Sequence, residues 1–298
     1  MYEPSRRTSQ ALLIVLVLAA VKVDQSPSQR TILFRAHDQP ATDQSGVYAS
    51  AARRIPFDDD YRQQRSVQGF LKSLGMHLGK RVEEAKAGKT MKTKFTSTSP
   101  RLEWTLHLTG KKSCELKKQV DFVIFDLQAL RQTPETTVFR VTDVLRFLET
   151  SKQTHLIPTK YQQWARNCDE YIIMSRAIEK GIVQITPWSK LRWAPIINHT
   201  FCRAYTLSLY EEFRNEHMDG ISQKKCGEAC EMVVSTARTM AGEKAKDIEF
   251  VQHLVHLILK PGLWFWGIQV SGDDAEIVKG CDELLGDGLA ARMSQISV

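Results

Sequence analysis

Short apolar runs of strand length alternate with helix-type spacing between residues 30 and 190, and this alternation restricts the fold class more than any other feature of the sequence. The clearest run, residues 120–127 (VDFVIFDL), is rich in β-branched and aromatic residues. Further strands are predicted at residues 31–35, 95–98, 171–174 and 182–185. Residues 62–80 instead carry apolar side chains every three or four positions, which predicts an amphipathic helix. Strands mixed with helices indicate an α+β domain.

Two residues mark predicted helix starts. Ser99 is a favoured N-cap residue and Pro100 a favoured first helical residue, so a helix is expected to run from there to about residue 108. Thr142 can cap a short helix that contains Val144 and Leu148. Both helices would follow directly on predicted strands or loops of the α+β region.

The character of the chain changes beyond Trp188. Apolar residues at positions 201, 205, 209 and 213, and again at 248, 251, 255 and 258, repeat at helical spacing without strand-type alternation. We therefore predict a leader at residues 1–29, an α+β domain at 30–190 and a mostly α-helical C-terminal region at 191–298.

The leader has the layout of a secretory signal. Arg6 and Arg7 precede an apolar run at residues 11–21, and polar residues begin at Lys22. The run is too short to span a bilayer, which takes about 20 residues, so no transmembrane segment is predicted. A hydrophobic strand or a frayed chain start is the alternative, because the best cleavage triplet begins with the large Leu18. The protein is secreted if the run is a signal peptide and cytoplasmic otherwise.

The charge balance bears on the class of partner. The formal net charge is +7 and the pI is near 9.0, which favours anionic partners such as phosphate-bearing ligands. Acidic residues are nevertheless interspersed among the basic ones, and the sequence has no concentrated basic arm. We predict no nucleic-acid partner.

The six cysteines are too few and too widely spread for a disulfide scaffold. Cys226 and Cys230 share a helix face, and His253 and His256 lie three residues apart, so a zinc site is conceivable. The spacing matches no finger pattern, however, and both cysteines continue an apolar stripe. Buried thiols are therefore favoured, and no metal site is predicted.

The residue types needed to cleave the nicotinamide glycosidic bond of NAD occur in order along the α+β region. A carboxylate stabilises an oxocarbenium-like transition state, a cation holds the pyrophosphate, and hydroxyls orient both. Arg35 ends the first predicted strand, Ser97, Thr98 and Ser99 close the second, and Glu170 opens the fourth. Each has a simpler explanation alone: a surface arginine, a helix cap and an exposed acid. Their joint order favours a binding site.

Three segments resemble the Arg, Ser-Thr-Ser, Glu arrangement of ADP-ribosyltransferases, and more closely a group of uncharacterised fungal domains with that layout. They are LFRAHD at residues 33–38, FTSTSPRLEW at 95–104 and DEYIIMSRAIEKGIV at 169–183. The resemblance implies an ADP-ribosyltransferase-like split β-sheet core with helices over about residues 30–190.

The resemblance also implies roles for individual residues, with NAD as the substrate. Arg35 would contact the NAD phosphates and the nicotinamide ribose, Ser97 would steady the site together with Thr98 and Ser99, and Glu170 would be the catalytic carboxylate. His37 would have a secondary role in positioning the ligand.

One position departs from the pattern. Transferases that modify arginine or related side chains commonly carry Gln or Glu two residues before the catalytic Glu, and this chain has Cys168 there. The expected function is mono-ADP-ribosyl transfer to an unknown acceptor, which could be a protein, or NAD glycohydrolase activity. The alternative is a catalytically inactive binding protein of the same fold, whose helical C-terminal region recognises a partner.

Overall fold

The structure is a computed structural model of the 298-residue chain. It describes residues 31–38, 74–75, 77–78, 95–115, 119–134, 136–150, 152, 154–175, 177–197, 222–266, 268–270 and 276–286. These residues form helices interleaved with short strands, which confirms the predicted α+β class. The predicted leader at 1–29 and the apolar stripe at 201–213 lie outside the described residues.

The strands form two three-stranded sheets and one two-stranded sheet. One sheet has the order β1-β3-β6, the second has the order β2-β5-β4, and β7 pairs in parallel with β8. An antiparallel bridge between Phe34 and Ser99 places β1 beside the end of β2. The strands are β1 (Ile32–Asp38), β2 (Thr96–Thr98), β3 (Val120–Asp126), β4 (Thr137–Arg140), β5 (Tyr171–Met174), β6 (Ile182–Pro187), β7 (Ser222–Lys224) and β8 (Ile268–Val270).

The α-helices with complete bounds are α1 (Leu102–Glu115), α2 (Leu127–Gln132), α3 (Val141–Thr150), α4 (Thr159–Asn167), α5 (Trp188–Leu191), α6 (Cys226–Ala241) and α7 (Ile248–Leu259). Short 3-10 helices cover Thr154–Leu156, Ile178–Gly181, Gly242–Lys246 and Leu263–Trp266. Residues 74–75, 77–78 and 276–286 are also helical. None of the helices in the described part of the chain is long and apolar enough to cross a membrane.

Both predicted helix starts are wrong in detail. Helix α1 begins at Leu102, three residues after Ser99, whose hydroxyl accepts a hydrogen bond from Arg101 N (3.0 Å) and donates one to Cys168 O. Helix α3 begins at Val141, one residue before Thr142, so that threonine lies inside the helix.

The chain forms two compact units. The first unit comprises Met1–Arg35, Asp43–Arg101 and Phe125–Ile182. Its apolar core joins strands β4 and β5 to helices α3 and α4 and to the helical residues near position 77. The core side chains are Leu74, Leu78, Phe95, Phe139, Val141, Val144, Leu145, Leu148, Ile157, Tyr161, Ala165, Ile172 and Met174.

The second unit comprises Ala36–Thr42, Leu102–Ile124 and Val183–Val298. Helices α6 and α7 pack together in it, as the apolar spacing of α7 predicts. The buried indole of Trp266 donates to Ile258 O (2.7 Å). Cys230 donates to Ile277 O (3.3 Å), and burial raises the pKa of both the Cys230 and the Cys281 thiol. These are buried protonated thiols, as the helical stripe predicts for Cys230.

Candidate functional site

The segments that carry Arg35, the serine-threonine run and Glu170 lie on neighbouring strands of the first unit. Phe34 N donates to Ser99 O (2.7 Å) and Ser99 N donates to Phe34 O (2.9 Å), so β1 lies against the end of β2. Strand β2 pairs antiparallel with β5 along its whole length. Glu170 directly precedes β5. The backbone therefore brings together three segments that are far apart in the sequence.

Arg35 is held by the serine-threonine run. Its Nη1 atom donates a hydrogen bond of 2.8 Å to the carbonyl oxygen of Ser97, and its side chain is half-buried. A guanidinium group has five N–H donors in a rigid plane, so this bond orients the plane of the Arg35 side chain.

The hydroxyls of the run have separate partners. The Ser97 hydroxyl lies 2.9 Å from Nε2 of His77, Thr98 Oγ1 donates to Tyr171 O (3.1 Å), and Ser99 Oγ donates to Cys168 O (2.5 Å). All three residues of the run are buried. These bonds connect the run to β5 and to the segment just before it.

Glu170 is fixed through its backbone. Its N–H donates to Ala165 O (2.9 Å) at the end of α4, and its carbonyl accepts from Val141 N (2.8 Å) at the start of α3. The side chain is only 2% exposed. A carboxylate in such a place is costly to desolvate, and buried carboxylates of this kind are frequent in functional sites.

An ion pair stabilises the backbone beside Glu170. Asp169 has a positive φ of 49°, and its carboxylate receives a bidentate bond from Arg140, with Nε to Oδ1 at 2.5 Å and Nη2 to Oδ2 at 2.9 Å. Hydrogen bonding to Asp169 raises the pKa of Arg140. An aspartate tolerates the left-handed region better than most residues, and the ion pair holds it there.

The strand register places a row of polar residues on one face of this sheet. Directly opposed residues of antiparallel strands project to the same face, and successive residues project to opposite faces. Thr98 is paired with Tyr171, which is paired with Arg140. Arg35 follows the residue bridged to Ser99, so it lies on the face of Thr98. We call Arg35, Thr98, Tyr171 and Arg140 the polar row.

Ser97 projects to the opposite face. It is paired with Ile172, which is paired with Phe139, and both apolar side chains belong to the first-unit core. The contact between Ser97 and His77 lies on this core side. Within the run, Thr98 is therefore the residue whose side chain shares a face with Arg35.

Tyr171 is the aromatic member of the polar row. The guanidinium carbon of Arg140 lies 6.0 Å from the centroid of its ring. Burial raises the pKa of Tyr171, so its phenol is neutral at physiological pH and can both donate and accept a hydrogen bond.

Cys168 lies where the resemblance expects an acceptor-directing residue. It follows α4 as its C-cap and is 3% exposed, and its thiol lies 3.8 Å from Ala165 O. Its carbonyl oxygen accepts the hydrogen bond from Ser99. The position therefore supports the backbone of the site, and its thiol is buried.

His37 is the remaining predicted site residue. It lies on β1 two residues beyond Arg35, it is buried, and it belongs to the second unit. His37 is therefore not part of the candidate site that the first unit forms.

Sequence reasoning missed His77, Tyr171 and Arg140. His77 lies three residues after the buried Leu74, on the inward face of the predicted helix, and a polar residue on an apolar stripe was a usable signal. The other two had no such signal, because only strand register shows that they share a face with Arg35.

The described residues contain no group of three or more His, Cys, Asp or Glu arranged to hold a metal ion. The candidate site of the first unit combines a guanidinium donor, hydroxyls that can donate or accept, and a carboxylate acceptor, and this set suits a ligand that carries both phosphate and sugar hydroxyls.

One family model matches the chain. It is described as Domain of unknown function (DUF7587) and matches residues 28–191, which is more than half of the 298 residues. The chain belongs to this family. No curated protein and no solved structure matches the chain. The matched range includes the strands β1, β2 and β5 that carry the DUF7587 chain's candidate site.

Proposed function

We propose that the first unit of this DUF7587 chain binds NAD and cleaves its nicotinamide glycosidic bond. One observation carries the proposal: backbone hydrogen bonds bring together Arg35 on β1, the serine-threonine run at the end of β2, and Glu170 directly before β5. These residues are separated by more than 130 positions, and together they supply the cation, hydroxyls and carboxylate that the reaction needs.

The sheet arrangement supports an ADP-ribosyltransferase-like core. Strand β1 of the β1-β3-β6 sheet is bridged through Phe34 to Ser99, which directly follows β2 of the β2-β5-β4 sheet. A sheet divided in this way is consistent with the split β-sheet core that the sequence resemblance implies.

Each residue has a defined part in the proposed reaction. Arg35, oriented by the carbonyl of Ser97, binds the NAD pyrophosphate. The carboxylate of Glu170 stabilises positive charge on the ribose as the bond from its anomeric carbon to nicotinamide breaks, and the bonding electron pair leaves with nicotinamide. A nucleophile then attacks the anomeric carbon and loses a proton.

The environment of Cys168 favours water as that nucleophile. Acceptor selection by a side chain at this position would need a polar group facing the acceptor, whereas the thiol of Cys168 is buried. Hydrolysis to ADP-ribose and nicotinamide is therefore favoured over transfer to a protein.

One observation favours the alternative function, a catalytically inactive binding protein. Glu170 is 2% exposed, so its carboxylate meets NAD only if the surrounding side chains move. In that alternative, Glu170 stabilises the fold, and the helical C-terminal region recognises a protein partner.

Nicotinamide release by the purified chain tests the proposal directly. The unsubstituted protein is expected to release nicotinamide, and Glu170→Gln is expected to slow the release by about 100-fold or more, since it removes a charge that acts in the transition state. Glu103→Gln is the matched control, because Glu103 is also a buried acid but lies in α1 of the second unit. The control should release nicotinamide at the unsubstituted rate.

Calorimetric titration with NAD separates the two functions. Equal release by the unsubstituted protein and Glu170→Gln would exclude the catalytic role of Glu170. Absence of heat at millimolar NAD, from protein that remains folded, would exclude NAD as the substrate and favour the binding protein.

A further inference from the structure

A buried histidine connects the helix near residue 77 to the serine-threonine run. His77 is 4% exposed, and its Nε2 lies 2.9 Å from the Ser97 hydroxyl. Its ring is tilted by 58° against the ring of Phe95, with 5.3 Å between centroids. Both the hydrogen-bonding nitrogen and the ring plane of His77 are therefore fixed in the first-unit core.

Ser97 stands between this histidine and Arg35. Its hydroxyl faces His77, its carbonyl oxygen accepts from Arg35 Nη1 (2.8 Å), and its Cα is paired with that of Ile172 on β5. A displacement of Ser97 would consequently move the carbonyl that orients the guanidinium plane.

The chemistry of position 77 indicates a polar role. His77 lies between Leu74 and Leu78 in the sequence, and all three side chains are buried, so an apolar residue would be the usual choice at this position. A buried imidazole is costly unless its nitrogens are hydrogen-bonded. The bond to Ser97 offsets that cost and at the same time fixes the rotamer of Ser97.

We infer that His77 is a positioning residue for NAD binding, which holds Ser97 so that the Ser97 carbonyl aligns Arg35. This inference rests on the proposed function. His77 itself lies on the core side of the sheet, opposite the polar row, and acts on the ligand only through Ser97 and Arg35.

Two substitutions separate the hydrogen bond from packing. His77→Phe retains a ring against Phe95 and removes the bond to Ser97, and it is expected to weaken NAD binding about fivefold. His77→Gln keeps a polar group and is expected to restore most of the affinity. Nicotinamide release at saturating NAD should change less than about twofold in both variants, because the carboxylate of Glu170 is untouched.

A double-mutant cycle with Ser97→Ala tests the route of action. If His77 acts through Ser97, then His77→Phe weakens NAD binding by less than about twofold in the Ser97→Ala background. His107→Phe, at a histidine of similar burial in the second unit, is the matched control and should leave the NAD affinity unchanged. The NAD affinities are measured by calorimetry. Urea unfolding of the same four proteins gives the coupling between His77 and Ser97 in the free energy of unfolding, without NAD.

The outcomes distinguish this inference from the proposed function. No NAD binding by the unsubstituted, folded protein would overturn both. NAD binding that is equally strong in the unsubstituted protein and His77→Phe would overturn only the role of His77. An equal loss from His77→Phe in both serine and alanine backgrounds would show that Ser97 does not transmit the effect, which also overturns it.

Discussion

At the scale of single residues, burial determines the charge of His107. This histidine lies in α1, and its pKa is lowered to about 4 by burial first and by the nearby Lys111 second. The unfolded chain, with a histidine pKa near 6.5, binds the proton more tightly than the folded chain. Above pH 6.5 His107 is neutral in both states and does not reduce the stability of the fold. As the pH is lowered from about 6 to 4, we expect the free energy of unfolding to decrease by about 1.4 kcal/mol for each pH unit, because only the unfolded chain takes up the proton.

Urea unfolding at a series of pH values measures this slope. His107→Gln should make it shallower over the same range, whereas His155→Gln, at an exposed histidine of the first unit, should not change it. An unchanged slope in His107→Gln would show that the imidazole is not the group responsible.

At the scale of elements, a glycine permits the close contact between α2 and the 3-10 helix at Ile178–Gly181. A Cβ added to Gly181 would lie 2.3 Å from both Cγ and Cδ2 of Leu130, whose side chain is fully buried. We expect Gly181→Ala to lower the free energy of unfolding by about 1–3 kcal/mol, since overpacked cores shift only at a cost. Urea denaturation of the purified variant gives this value.

Two further variants check the cause. Gly227→Ala in the first turn of α6 has no atom within 4 Å of the added Cβ, and it is expected to change stability by less than about 1 kcal/mol, towards greater stability. Leu130→Ala makes room for the new methyl group, so its combination with Gly181→Ala should cost less than the two single changes together. If the losses of stability from Gly181→Ala and Leu130→Ala simply add, the strain in Gly181→Ala does not come from contact with Leu130.

Several of the elements were predictable, because apolar periodicity is a local property, but β4, α2 and α4 were not among them. Residues 120–127 gave β3 to within one residue, and residues 171–174 gave β5 without error. The start of α1 was not predictable in the same way. Ser99 is a good capping residue by type, and its hydroxyl does accept from Arg101 N just before the helix, but it also donates to Cys168 O, which is 69 positions away. Long-range partners of this kind are not visible in local sequence.

At the scale of the whole molecule, the same limit applies to the candidate site. The order of Arg35, the serine-threonine run and Glu170 in the sequence predicted that these residues lie close together. The strands do bring their backbones together. The face of the sheet to which each side chain projects was not predictable. A shift of one residue in the strand register would exchange the faces on which Ser97 and Thr98 lie. Register depends on pairing between strands that are 73 positions apart, as in the bond from Thr98 to Tyr171.

The division into two units gives a last prediction, for hydrogen exchange in the presence of NAD. A ligand that binds only the folded first unit stabilises that unit, and at ten times its Kd it slows exchange through global opening about tenfold. If the first unit opens separately from the second, this slowing is confined to the first unit: we expect it at the amides of β2 and β5, which bear the candidate site, and not at those of α6 and α7, which pack together within the second unit. Mass spectrometry of deuterated peptides measures exchange in both units in one experiment.

ADP-ribose, which lacks nicotinamide, serves as a second ligand in the same hydrogen-exchange experiment. Because ADP-ribose retains the pyrophosphate that Arg35 would bind, it should protect β2 and β5 as well. Protection confined to α6 and α7 would place NAD on the helical region, and the first-unit site would then have to be abandoned.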